Sequence, residues 1–205
     1  MSSATRPCLA VLAAALCGAC QSAPPEATPI GAPASAHISF ATGYKGLDSS
    51  WSGADDHWVF GILDGDLRPP GWPVWIAGQM LFTYADDAPD NAPPYADYSE
   101  TYELSLGLRR YANWGRFEPY VGAGAALIGG SVIDSGDAYG WYWVNEVDDD
   151  FAWGWYAEGG VLAPLNPVFT LGLALRWSDA AAAELLGRDV ELGGLSVLFL
   201  IGARF

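Results

Sequence analysis

The chain has 205 residues, of which 51% are hydrophobic and 14% aromatic, and its formal net charge is −15. It has 24 acidic residues against nine basic ones and no basic patch, so we expect no nucleic-acid partner. All three cysteines lie within the first 20 residues, which excludes a disulfide framework or a thiolate site in the rest of the chain.

Residues 1–19 are predicted to be a secretory signal peptide. One charge, Arg6, precedes a run of small and apolar residues that is too short for a membrane-spanning helix. The run Leu-Cys-Gly-Ala-Cys that ends at Cys20 resembles a bacterial lipobox, and cleavage before Cys20 would leave it as a lipidated first residue. Cys17 stands where an aliphatic residue is usual, so ordinary signal cleavage near Ala19 or Ala23 stays open as the alternative.

Residues 20–36 are Pro- and Ala-rich and carry a single charge, Glu26. They lack the apolar pattern that a packed segment needs, so an extended tether is predicted. Residues 37–205 are enough for one domain. They are too few for a large porin and suffice for eight strands of roughly ten residues with turns and loops.

Eight segments with strand-like alternation follow the tether. The predicted strands are residues 37–47, 56–67, 74–86, 100–112, 117–133, 150–163, 168–178 and 193–205. Three of the connections are short and rich in Pro, Gly and Asn, and the other four are longer and acidic, in strict alternation. Short periplasmic turns and long outer loops are typical of outer-membrane barrels, and an even number of strands places both termini in the periplasm.

The last predicted strand has the clearest pattern. Leu195, Val197, Phe199 and Ile201 fall on one face, and the strand ends at Phe205. An apolar face of period two suits a strand that faces lipid, whereas a soluble edge strand written this way would aggregate. The terminal aromatic resembles the closing strand of bacterial outer-membrane β-barrels. That resemblance implies recognition by the barrel-assembly machinery through Phe205.

A second resemblance covers roughly residues 39–205. Residues 116–124 (Arg-Phe-Glu-Pro-Tyr-Val-Gly-Ala-Gly) resemble the barrel domain of OmpA-like outer-membrane proteins, and the strand at residues 103–109 is similar to the one that precedes it there. The resemblance implies an all-β, eight-stranded antiparallel up-and-down transmembrane β-barrel in a Gram-negative outer membrane. We expect a monomer in contact with outer-membrane lipid. Such barrels are often structural, and sometimes adhesins or narrow, porin-like channels.

Strand parity predicts which charges face the barrel interior: Lys45, Glu103, Arg109, Glu118, Glu158, Arg176 and Arg204. Three acids and four bases in a narrow space should pair, because an unpaired buried charge is costly. An eight-stranded barrel leaves an interior just wide enough for side chains, so a sealed lumen is expected. This favours a structural or surface-interaction role. A gap in the network would instead favour a narrow channel or a binding barrel for small or hydrophobic solutes.

Candidate chemistry elsewhere is sparse. His37 and His57, the only histidines, are predicted to be exposed or girdle residues, so no catalytic residue, cofactor or resident metal is predicted, and a lipid-modifying enzyme is the least favoured alternative. The acidic loops match no Ca²⁺-loop spacing, and weak bridging by divalent cations to lipopolysaccharide is a hypothesis. Trp141, Tyr142 and Trp143 could contact a sugar or protein partner, or extend an aromatic girdle.

Overall fold

The computed structural model describes residues 35–47, 56–85, 98–134, 146–185 and 188–205. The predicted signal peptide, Cys20, nearly all of the tether, and Trp141, Tyr142 and Trp143 lie outside these ranges. The described residues form ten strands: β1 Ser35–Leu47, β2 Asp56–Arg68, β3 Trp75–Ala85, β4 Tyr98–Tyr111, β5 Glu118–Asp134, β6 Glu146–Pro164, β7 Phe169–Ala180, β8 Ala182–Leu185, β9 Arg188–Glu191 and β10 Gly194–Arg204. Among the described residues, no helix is long and apolar enough to cross a membrane.

Eight of these strands form a closed barrel. Strands β1 to β7 follow one another around the wall, and β10 closes it by pairing with both β7 and β1. All eight pairings are antiparallel, and the closing seam runs in unbroken register from His37 opposite Arg204 to Leu47 opposite Gly194. The predicted eight-stranded up-and-down barrel is therefore confirmed. Each predicted strand overlaps one barrel strand, with the largest shift at β6, which begins at Glu146.

The two ends of the barrel differ. The described chain ends and the three short connections lie at one end, which we call the terminal end, and the four long connections lie at the other, which we call the loop end. Two of the short turns contain a glycine with positive φ, Gly71 at 81° and Gly115 at 63°. Only glycine adopts this conformation at little steric cost, so these residues suit turns that reverse the chain within a few residues.

The outer wall carries a continuous apolar belt. In β10, Leu195, Val197, Phe199 and Ile201 are 40–50% exposed, while the alternating inward positions are buried. The same alternation continues around the wall, where the belt also includes Leu104, Leu106, Leu108, Trp153, Trp155, Leu173, Leu175 and Trp177. An exposed apolar surface of this extent is unusual for a monomer in water and is typical of a lipid-facing wall.

A bulge in β2 changes the predicted lumen. The pairing with β3 shifts register just after Gly61, so that Ile62 is an extra residue on the bulged strand. Phe60 faces outward before the bulge, and Asp64 and Asp66 face inward after it. Strict alternation would have placed both aspartates on the same face as Phe60. The predicted set of three lumen acids was therefore incomplete, because the bulge adds two more.

The fourth long connection, predicted as an acidic loop, contains the β8–β9 hairpin. This hairpin places apolar side chains over the loop end of the barrel interior. They share one buried cluster with inward residues of β5 and β6: Ala126, Ile128, Ala152, Tyr156, Ala183, Leu185, Val190 and Leu192. The hairpin therefore covers part of the loop end with an apolar cap.

Candidate functional site

Arg109 on β4 gathers three carboxylates inside the lumen. Its Nε donates to Glu158 Oε1 at 2.8 Å, its Nη1 to Asp66 Oδ2 at 2.8 Å, and its Nη2 to Asp64 Oδ1 at 3.0 Å. The guanidinium also lies 4.7 Å from the centroid of the Tyr120 ring. The rigid, five-donor guanidinium can serve several acceptors at once in a way that a lysine could not. The carboxylates come from β2 and β6, so this one side chain links three strands across the lumen.

Arg176 on β7 organises a second group. Its Nε donates to Glu103 Oε1 at 3.1 Å and its Nη2 to Ser105 Oγ at 3.0 Å, and it also donates to the side-chain oxygen of Gln79. The guanidinium stacks on Tyr156, with 3.7 Å between its carbon and the ring centroid. Arg176 is 0% exposed, so its charge is stabilised by these partners rather than by water.

Glu158 joins the two groups. One carboxylate oxygen accepts from Arg109, while the other accepts from Gln79 Nε2 at 3.1 Å and lies 3.8 Å from Arg176 Nη1. The hydrogen-bonded set therefore forms one connected structure, which we call the lumen network: Lys45, Asp64, Asp66, Gln79, Glu103, Arg109, Glu158 and Arg176.

Lys45 ties the lumen network to the cap. Its Nζ lies 3.6 Å from Glu103 Oε2 and donates to the backbone oxygen of Leu192 at 3.5 Å. Leu192 belongs to the apolar cluster beneath the β8–β9 hairpin. The charged centre of the lumen and its apolar cap are thus in direct contact.

His37 lies at the terminal-end side of the lumen network. It is 5% exposed, so the prediction that it is an exposed or girdle residue is wrong. Its Nε2 lies 2.9 Å from Thr170 Oγ1, and its Nδ1 lies 4.0 Å from Asp66 Oδ1. Asp66 accepts through its other oxygen, from Arg109 and from the hydroxyl of Tyr111. A histidine between a hydroxyl and a carboxylate has the residue types of a catalytic triad. The 4.0 Å between His37 Nδ1 and Asp66 Oδ1 is longer than a hydrogen bond, and the three side chains are buried, so the arrangement does not form a triad.

Glu118 and Arg204 form a separate pair at the terminal-end mouth of the barrel. Arg204 Nη1 donates to Glu118 Oε1 at 3.1 Å, and Nη2 donates to the second carboxylate oxygen, which makes the pair bidentate. The side chain of Arg204 is 35% exposed and that of Glu118 is 22% exposed, in contrast to the buried lumen network. The seven residues predicted to face the interior are thus distributed between two places: five lie in the lumen network and two at the mouth.

The predicted set of interior residues left out Asp64, Asp66, Gln79 and His37. A signal for the aspartates was present, because unbroken alternation in β2 would put two carboxylates beside Phe60 on the lipid-facing side. With the two aspartates included, the lumen network holds four acids and three bases. The neighbouring His37 lies beside one of these acids, Asp66. Gln79 and His37 also carried a signal, because Gln79 alternates with the outward Met80 and His37 shares the parity of Lys45.

The middle of the lumen is closed in cross-section. Five side chains from β3, β4, β6 and β7 meet there, and none is more than 3% exposed: Gln79, Glu103, Tyr156, Glu158 and Arg176. A water-filled passage would leave such lining groups accessible to solvent. Within the described part of the chain, no three His, Cys, Asp or Glu side chains are grouped so as to hold a metal ion.

No family model matches this chain, and no curated protein matches it. Solved structures do match it. A major outer membrane protein from Thermus thermophilus matches with a TM-score of 0.57 and 15% identity, over 84% of this chain and 99% of that one. Neisserial surface protein A matches with a TM-score of 0.56 and 14% identity, over 83% and 95% of the two chains. OprG from Pseudomonas aeruginosa, an outer membrane protein, matches with a TM-score of 0.50 and 18% identity, over 84% and 95%. At these identities the similarity shows a shared barrel fold.

Proposed function

We propose that this chain is a small outer-membrane β-barrel with a closed lumen and a structural or surface-interaction role. One observation carries the proposal: the lumen network fills the barrel cross-section with paired charges and leaves its central arginine, Arg176, at 0% exposure. Paired, hydrogen-bonded charges at the centre favour a rigid, sealed interior over a pathway for solutes. The surfaces left for function are then the outer wall and the loop end.

The outer-membrane location is supported by the wall and by the architecture. The apolar belt suits contact with outer-membrane lipid, and the matched structures include proteins named as outer membrane proteins. In this assignment the terminal end, with its short turns, faces the periplasm, and the four long connections face outward. Both termini of the barrel are then periplasmic, and the barrel functions as a monomer because its closed wall leaves no strand edge to pair.

The remaining partners are proposed to contact the two ends of the chain and the loops. We propose that Cys20 anchors the tether in the inner leaflet as a lipoprotein, after removal of the signal peptide. Phe205 supplies the terminal aromatic for the barrel-assembly machinery. Trp141, Tyr142 and Trp143 offer aromatic surface to a sugar or protein partner, and the acidic loops bind divalent cations that bridge to lipopolysaccharide phosphates.

Heat-modifiability tests the membrane barrel. The full chain is expressed in a Gram-negative host, the membranes are fractionated, and unheated and boiled samples are compared on a denaturing gel. We expect the protein in the outer-membrane fraction, with a mobility shift on boiling, because a closed antiparallel barrel keeps its shape in detergent until heated. A soluble periplasmic protein without a shift would contradict the proposal.

Conductance tests the closed lumen. The purified protein is inserted into a planar lipid bilayer, and insertion is verified by protease protection of the barrel. We expect no steady conductance from the wild type, because the buried lumen network leaves no continuous path for water or ions. Replacing Arg176 and Glu158 together by alanine removes two members of the closed layer and is expected to give a small conductance. Steady steps from the wild type would instead support the narrow-channel alternative.

A further inference from the structure

Among the described side chains, the charges that lie outside the lumen network are segregated between the two ends of the barrel. Three arginines lie at the terminal end: Arg68, Arg110 and Arg116. The acids with described, solvent-accessible side chains lie at the loop end: Glu100, Asp149, Asp150, Asp179, Glu184, Asp189 and Glu191. Of the acids described at the terminal end, Glu118 is paired with Arg204, and the two β2 aspartates face the lumen. The described part of the terminal end is therefore basic, although the protein as a whole is acidic.

Two of these arginines, Arg110 and Arg116, lie where the apolar belt ends. Arg110 follows the outward row of β4 directly after Leu108, which is 50% exposed, and it is paired across the ladder with Val121. Arg116 lies in the turn between β4 and β5 with its guanidinium carbon 5.2 Å from the centroid of the Phe117 ring. Both therefore lie at the boundary between apolar wall and polar rim, the depth at which lipid headgroups are found.

Arg68 lies at the same end but on the inward side of the wall, because it continues the row of Asp64 and Asp66. It ends β2 and stacks on Trp75 with 5.2 Å between its guanidinium carbon and the ring centroid. Across the described ranges, no carboxylate lies within ion-pair distance of Arg68, Arg110 or Arg116. Stacking on an aromatic ring orients a guanidinium but leaves its donors free to bind an anion.

We infer that Arg110 and Arg116 form a binding surface for anionic phospholipid headgroups of the inner leaflet. This inference rests on the proposed function, because it requires the barrel to lie in a membrane with the terminal end toward the periplasm. The two arginines lie at the end of β4 and in the turn that follows it, at the edge of the apolar belt, so they suit headgroups at a membrane surface. Each guanidinium can bind two oxygens of one phosphate. A headgroup that carries no cationic group of its own has a net negative charge, so it is favoured over a zwitterionic headgroup.

Spin-labelled lipids test this surface. The full chain and the double variant Arg110→Gln, Arg116→Gln are reconstituted into phosphatidylcholine vesicles that contain spin-labelled phosphatidylglycerol or phosphatidylcholine. Electron paramagnetic resonance then gives the relative association of each label with the protein. We expect the wild type to prefer phosphatidylglycerol by about fivefold at each arginine that binds a headgroup, and the preference to fall with added salt. The double variant should lose this preference.

The matched control is Arg188→Gln, which removes one positive charge from β9 at the loop end and should leave the preference unchanged. An equal preference in the wild type and the double variant, or none in the wild type, would overturn the inference while leaving the membrane barrel intact. Heat-modifiability of each reconstituted sample separates these outcomes. A wild-type chain that gives no mobility shift in vesicles would overturn the proposed function together with the inference.

Discussion

Two adjacent arginines show how strand parity assigns different roles to identical residues. Arg109 is 2% exposed and pairs with three carboxylates in the lumen, whereas Arg110 points outward at the terminal rim. The sequence was sufficient to predict the inward position of Arg109, because Leu104, Leu106 and Leu108 mark the opposite face of β4. Its partners on β2 could not be predicted from parity, since they depend on a bulge whose position has no fixed sequence signal.

At this scale we expect Arg109→Ala to destabilise the barrel by about 3–5 kcal/mol, because it leaves Asp64, Asp66 and Glu158 buried without their common partner. The measurement is the free energy of unfolding in urea, followed through the heat-modifiable band of protein refolded in vesicles. Arg110→Ala, one residue away and outside the lumen, is the control and should cost less than about 1 kcal/mol. Equal losses in the two variants would show that the lumen network does not contribute to stability.

At the scale of elements, seven of the eight barrel strands follow the simple rule of alternation, and β2 departs from it. The bulge at Ile62 lets an outward aromatic, Phe60, and two inward aspartates occupy one strand. The β8–β9 hairpin also escaped prediction. Its segment is short, Ala-rich and acidic, and four residues per strand give too little alternation to separate a hairpin from a loop.

The bulge makes β2 tolerant of a deletion that other strands cannot accept. Removing Ile62 restores regular alternation and keeps Asp64 and Asp66 inward, so we expect this variant to assemble and to show the mobility shift on boiling. Removing Leu106 from the regular strand β4 reverses the facing of the residues on one side of the deletion and turns either Arg109 or Glu103 toward lipid. We expect that variant not to assemble, because a charge in the apolar belt costs several kcal/mol.

The same pair of deletions is its own control, since each removes one apolar residue from a barrel strand. Loss of assembly in both would show that β2 needs its bulge for a reason other than facing, such as local twist between β1 and β3. Assembly of both would contradict the assignment of Glu103 and Arg109 to a lumen that depends on register.

At the scale of the whole molecule, the barrel was predictable because independent patterns agree on it. Alternating outward apolar rows, short and long connections in turn, and an even strand count together allow few other folds. The pairing of inward charges was predictable in outline from the mixture of acids and bases on the inward faces. The matched structures share this fold at 14–18% identity, which is expected when a wall is specified by alternation rather than by particular residues.

Substitution of Phe205 tests whether assembly in the cell depends on a residue that the finished barrel does not need for stability. Its ring is 74% exposed, and its backbone holds Ala36 through hydrogen bonds in both directions, which Phe205→Ala retains. We expect this variant to refold in detergent with the unfolding midpoint of the wild type and to reach the outer membrane of cells in smaller amount. The control, Leu165→Ala, removes an apolar side chain of similar exposure at the same end and should change neither quantity.

The closing seam also has a consequence for the order of events in folding. His37 meets Thr170 across 133 positions of chain, and Lys45 meets Leu192 across 147, so both contacts await the last strands. Loop-closure entropy makes such distant contacts slow to form. A chain still emerging during synthesis or export therefore has no native partner for the outer edge of its first strand, and its lipid-facing residues need protection from aggregation throughout that time. Burial of the lumen charges therefore depends on closure of the wall by β10, the last barrel strand to be made.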